Sequence, residues 1–208
     1  TTEIYTLSLH DALPISQQSD IKKIEELSLL FEISQILDQS MDIRQIVEPV
    51  LKAMADRLGM MRGTITILNR QTGEIFIEAA YGLSASQREK GRYRLGEGIT
   101  GRVIQSGSPA IVPKISQEPH FLNRTGARKN IRKKDISFIC VPIKIGNEAI
   151  GAFSADRLFE EDVSFTEDVR LLSIIASMIA QAIKLRQTVI EEREKLLEEK
   201  SRLQEELQ

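Results

Sequence analysis

The spacing of hydrophobic positions changes twice along the chain. From Asp20 onward, Ile21, Ile24, Leu27, Leu30, Phe31, Ser34 and Leu37 step by three and four residues. That is one face of a helix, and it predicts an amphipathic element with Asp20 as its N-cap and an end at residues 38–40. A second stripe, Ile43, Ile46, Val47, Val50, Leu51, Met54 and Leu58, predicts another helix, closed by Gly59. Pro49 lies within it and either kinks it or marks its real first turn. The period then becomes two. Residues 63–69 and 74–80 alternate around the turn Gln71-Thr72-Gly73 and predict a hairpin. Short strands are expected at 92–95 and 110–113, with a short helix at 102–105 between them. A long polar loop, 114–134, precedes two strong strands, 136–145 and 149–156, joined at Gly146-Asn147. A long final helix starts near Thr166.

Helices gathered at the two ends of a run of antiparallel strands define the α+β class. The expected architecture is an antiparallel sheet with the N- and C-terminal helices packed on one face. The loop and the short helix cover the other. In the last helix, Leu171, Ile175, Met178, Ala182 and Leu185 alternate steps of four and three, a coiled-coil seam expected to pack in a bundle with the first helices, within one chain or across a homodimer. Beyond Leu185 the seam becomes Val189, Leu196 and Leu203 alternating with Glu192, Glu199 and Glu206, so residues 187–208 read as a helical connector.

Composition narrows the function. The chain has 208 residues with a net charge of −2, so no global positive field draws it to nucleic acid. Aromatics are 5% and Trp is absent, which argues against base-stacking surfaces. No apolar run approaches the roughly 20 residues of a membrane span. A single cysteine, Cys140, excludes a disulfide framework and fits a reducing, cytoplasmic compartment. Two histidines, His10 and His120, and one cysteine are too few and too scattered for a metal site. Residues 1–16 match neither the period nor the composition of the rest of the chain. They read as an adapter-derived artefact or a disordered leader, and no function is assigned to them.

The stretch LGEGITGRVI at 95–104, the strand pair ICVPIKIGNEAIGAFSADRLF at 139–159 and the closing FTEDVRLLSIIASMIAQAI at 165–183 resemble a GAF domain, a small-molecule sensor module. The resemblance covers residues 24–186. The combination of EPHFLNRTGARK with SFICVPIK is similar to the sensor domains of NifA-type activators, the sigma-54-dependent activators of nitrogen-fixation genes. That resemblance implies a domain, 17–186, regulating an AAA+ ATPase through the connector. Neither a phosphate loop nor a helix-turn-helix is found in this chain, so the sensor end alone is expected. A sensor or dimerisation domain of a histidine kinase, a cyclase or another regulator is the alternative.

The resemblance also suggests ligands and partners: 2-oxoglutarate, and a regulatory protein of the NifL or PII type. Residues 124–134 hold six basic side chains and no acidic one: Arg124, Arg128, Lys129, Arg132, Lys133 and Lys134. They form either a lid over a dicarboxylate, since guanidinium matches a carboxylate bidentately, or a solvated loop. Arg124 and Arg128, near Phe121 and Gly126, are the preferred ligand contacts. Thr100 and Arg102 on the short helix, Arg157 at the end of the last strand, and Phe76, Phe138 and Phe153 as walls complete the candidate site. Alternation alone does not say which side the three phenylalanines face. The glycines of Gly96-Glu-Gly-Ile-Thr-Gly101 either receive an anion at a helix start or simply permit a tight turn. Cys140 is expected as core filler rather than a redox sensor. No nucleophile and orienting acid converge on His120, so no catalytic residue is assigned and an enzyme is not expected.

Overall fold

The computed structural model describes residues 15–39, 42–128, 136–159 and 164–206. Two helices lead: α1 (Ile15–Asp38) and α2 (Ile43–Leu58). The hairpin comes next as β1 (Arg62–Asn69) and β2 (Glu74–Tyr81), then α3 (Ala85–Lys90), β3 (Arg92–Arg94), α4 (Gly98–Ser106) and β4 (Ala110–Val112). A 3-10 turn spans Ile115–Gln117; β5 (Ile136–Ile145), β6 (Glu148–Leu158) and α5 (Phe165–Glu206) complete the chain. The six strands form one antiparallel sheet in the order β3-β2-β1-β6-β5-β4. Among the described residues no helix is long and apolar enough to cross a membrane.

The sheet separates two cores. On one face α1, α2 and α5 bury Leu29, Ile33, Val47, Met54, Leu172, Ile175 and Ile179 against Ile65, Ile139, Val141, Ile143 and Phe153. On the other, α4 and the 3-10 turn bury Val103, Ile104 and Ile115 against Ile75, Phe138, Cys140 and Ala152. Strand alternation explains the division: Phe138 and Cys140 face one way, Ile139 and Val141 the other. In β2 a bulge changes the face. Ile65 pairs with Ala79 and Thr66 with Ile77, leaving Glu78 as the extra residue. Ile75 therefore reaches the α4 side while Ala79 joins the helix side.

The structure corrects three expectations. The inward face of α1 is Leu29, Ile33 and Leu37, whereas Ile24, Leu27 and Phe31 of the expected stripe are about two-thirds exposed, at 65%, 66% and 66%. Residues 15–38 carry apolar side chains on two faces, and the expected three-four stripe mixes them: Leu30 and Leu37 pack on the core while Ile24, Leu27 and Phe31 face outward. In α5 the buried set is Leu171, Leu172, Ile175, Ala176, Ile179 and Ala180, laid on the sheet, while Leu185 of the expected seam is 65% exposed. The start of α1 is also earlier than Asp20, at Ile15.

Cross-helix ion pairs align α1 beside α5: Lys22 with Glu167, and Arg170 with Glu26. Near their far ends, the buried Arg186 donates to the carbonyl oxygens of Leu37 at 2.6 Å and Ala182 at 3.0 Å. It thereby satisfies a carbonyl in the last turn of α1, where no intrahelical donor remains.

Candidate functional site

β1 and β6 run side by side at the centre of the sheet, and on the α4 side they present Thr64, Thr66, Ser154 and Asp156. Thr64 Oγ1 and Ser154 Oγ lie 2.6 Å apart, and Thr66 Oγ1 donates to the Ala152 carbonyl at 3.1 Å. Asp156 is 1% exposed. Its carboxylate accepts Arg128 Nε at 2.8 Å on Oδ2 and Arg128 Nη2 at 2.6 Å on Oδ1. Arg62 Nη1 adds a contact to Oδ2 at 3.3 Å. The fork of Arg128 matches the carboxylate bidentately, the geometry that makes such pairs strong.

Aromatic rings flank this pair. The Arg128 guanidinium carbon sits 4.8 Å from the Phe121 centroid and 5.6 Å from that of Phe138. The two rings meet edge to face at 5.0 Å and 71°. A cation over two ring faces gains from their negative π clouds. Beside them lies a cavity of about 30 Å³, lined by residues that include Arg62, Thr64, Tyr93, Thr100, Phe121, Leu122, Asn123, Arg128, Phe138 and Ser154. A space of that size holds a few water molecules at most. Burial pushes the Tyr93 hydroxyl above its usual range, opposed by the positive charges of Arg128 and Arg124.

Of the residues singled out in the sequence, Thr100, Phe121, Arg128 and Phe138 come together on the cavity. Arg124 pairs with Glu97, with its guanidinium carbon 6.0 Å from the Tyr93 centroid, at the rim rather than in the lining. The others lie elsewhere. Phe153 is fully buried on the opposite face, in the helix-side core. Phe76 lines a separate groove with Arg88 and Arg92. Arg157 points to α5, where it pairs with Asp168. Arg102 is exposed on α4, with Nη2 3.1 Å from His120 Nδ1. Lys129, Arg132, Lys133 and Lys134 fall outside the described residues. Sequence reasoning missed Arg62, Thr64, Ser154 and Asn123, and it did not single out Asp156 as the partner of Arg128. Its partner lies 28 residues away. Alternation in β1 and β6 was the available signal, but it does not state which face carries a cavity.

The glycine segment serves the turn. Gly96 and Gly98 have φ of +78° and +62°. A Cβ on Gly101 would lie 2.2 Å from the Arg94 carbonyl oxygen, so backbone meets backbone there. Gly101→Ala is expected to cost roughly 1–3 kcal/mol, read by denaturant unfolding. A loss below about 0.5 kcal/mol would show that the turn yields. Cys140 is wholly buried beneath Thr100, and burial pushes its thiol up to about 12. A thiolate is therefore disfavoured at neutral pH, opposite to what a reactive cysteine requires. Among the described residues no group of three His, Cys, Asp or Glu side chains could hold a metal ion.

A central antiparallel sheet, helices on one face and a capped polar cavity on the other define an α+β domain with an internal site. The GAF domain model matches residues 40–184, and the chain belongs to the GAF domain family. It is 42% identical to the nitrogen fixation protein VnfA of Azotobacter vinelandii over 78% of this chain and 31% of that protein. It is 39% identical to the Nif-specific regulatory protein of Azospirillum brasilense over 88% of this chain and 29% of that protein. The chain thus spans about a third of the length of these curated relatives. Among solved structures it superposes on the A. aeolicus NLH2 GAF domain in an inactive state with a TM-score of 0.70 at 27% identity, covering 79% of this chain and 98% of that one.

Proposed function

We propose that this chain is the sensor domain of a Nif-type transcriptional activator, working in the cytoplasm and binding a small carboxylate in the Arg62–Arg128–Asp156 cavity. The likeness to VnfA and to Nif-specific regulatory proteins supports the regulatory role. The observation that carries the ligand reading is Arg128, buried against Phe121 and Phe138, with Arg62 beside it on the cavity wall. Two guanidiniums facing one carboxylate leave one positive charge in excess, and a ligand anion offsets it. The domain acts by differential binding and not by chemistry: a ligand favours one arrangement of the domain over another.

Arg157, next to Asp156 on β6, pairs with Asp168 in the first turn of α5. A shift of Asp156 on ligand binding moves the start of α5, and residues 187–208 carry that movement toward a downstream AAA+ ATPase. The exposed Ile24, Leu27 and Phe31 of α1 and Ile174 and Leu185 of α5 support pairing with a second copy, or docking of a NifL- or PII-type protein.

Titration calorimetry with 2-oxoglutarate, which enters as the exposed Leu122 of the cavity lining moves outward, tests the reading. Saturable binding is expected, weakened about tenfold in Arg128→Lys, which keeps the charge and loses the fork. Binding unchanged in that variant, or no heat with any small carboxylate, rejects the cavity as the site. In the second case, a dimerisation or protein-docking domain of another signalling protein becomes the better account.

A further inference from the structure

Among the described residues that line the cavity, one carries a buried polar atom whose needs are unmet. Asn123 lines it, and its Oδ1 is buried with no hydrogen-bond partner. The residue is held there by its backbone. Asn123 has φ +46°, the only positive φ of a non-glycine among the described residues, and its carbonyl accepts the amide of Gly126 at 2.9 Å. Asparagine tolerates this left-handed conformation better than most side chains. A buried acceptor left without a donor costs free energy, and such exceptions call for an explanation.

The surroundings sort the chemistry of what would answer it. Arg62 and Arg128 supply donors and a net positive charge after Asp156 is counted. Thr64, Thr100 and Ser154 supply hydroxyls, which both donate and accept. The amide oxygen of Asn123 only accepts. An oxo acid brings acceptors alone and leaves Asn123 Oδ1 unanswered. A hydroxy acid brings a carboxylate for the guanidiniums and an O–H for the amide oxygen. The cavity is small, about 30 Å³, and its lining includes Leu122, which is 42% exposed and closes over Gly98. A short acid enters by displacing that side chain outward.

We infer that the cavity selects small hydroxycarboxylates over the corresponding oxo acids, with Asn123 Oδ1 as the acceptor that reads the hydroxyl. The inference rests on the carboxylate-binding reading above and specifies its ligand class. The basis is a juxtaposition: an orphaned acceptor and an arginine-rich wall on one cavity.

The test uses the full chain and two pairs of acids that differ only at that oxygen: lactate against pyruvate, and 2-hydroxyglutarate against 2-oxoglutarate, each hydroxy acid as both enantiomers. Calorimetry reads the ratio of dissociation constants. One enantiomer of at least one hydroxy acid is expected to bind roughly tenfold or more tightly than its oxo partner. Asn123→Gly keeps the positive φ and removes the amide. In that variant the ratio is expected to fall to about one while the oxo acid still binds. Melting curves verify that the variant is folded; if it is not, Asn123→Asp, which retains an acceptor oxygen, must keep the preference. Equal or tighter binding of the oxo acids overturns the inference and leaves the cavity reading intact. A preference that survives Asn123→Gly also overturns it. No binding of any of the four acids overturns both.

Discussion

Replacing Asp156 with alanine is expected to destabilise the domain by about 3–5 kcal/mol, because it leaves a buried guanidinium without its carboxylate. Asp156 is 1% exposed and Arg128 7% exposed, so bulk solvent does not reach the lost hydrogen bonds. In a domain of this size each kcal/mol shifts the midpoint by roughly 2–4 °C, and thermal unfolding reads the loss directly. The double variant Asp156→Ala with Arg128→Met removes both buried charges and is expected to recover much of the stability. A single variant that melts within about 2 °C of the parent would mean that Arg128 finds water or another partner, and the account of the triad would be wrong.

The second large effect concerns Phe153, which alternation left on either face. It is fully buried in the helix-side core, packed with Ile65, Val141 and Ile175 among others. Phe153→Ala is expected to cost about 3–5 kcal/mol, read by denaturant unfolding. Carboxylate affinity, measured where the variant remains folded, is expected to stay within about twofold, since distant and independent sites add. A selective loss of affinity with little loss of stability would place Phe153 in the site after all.

These two residues show how far the sequence reaches. Strand identity was legible in β5 and β6: apolar runs bounded by Gly146-Asn147 give the hairpin, whose observed arms are Ile136–Ile145 and Glu148–Leu158. α3 escaped, although its signal was present. Ser84 and Gln87 form a capping box, with each side chain on the other's backbone amide, at 3.2 Å and 2.9 Å. A helix of six residues has too little periodicity for the three-four rule, so only the cap betrayed it.

The site was legible in part for the same reason. Arg128 and Phe121 stood out because a basic, glycine-bearing loop beside an aromatic residue is unusual. Arg62, Thr64 and Ser154 did not, because a polar residue on a strand reads as solvent-facing until a second layer is known to cover it. Here α4 and the loop cover that face, and the bulge at Glu78 decides which β2 residues share it. No local pattern announces a one-residue insertion in a pairing register.

The sequence by itself determined the elements other than α3, their order, the α+β class and the GAF resemblance, because these depend on local period, turn chemistry and short motifs. Only the tertiary structure decided which of two apolar stripes on α1 faces inward. It alone brought Arg62, Arg128 and Asp156 into contact from positions 62, 128 and 156, and left Asn123 Oδ1 without a donor. The physical reason is that a periodic pattern specifies a face but not its partner. Which face is buried, and which charges meet, depends on contacts between segments far apart in the chain.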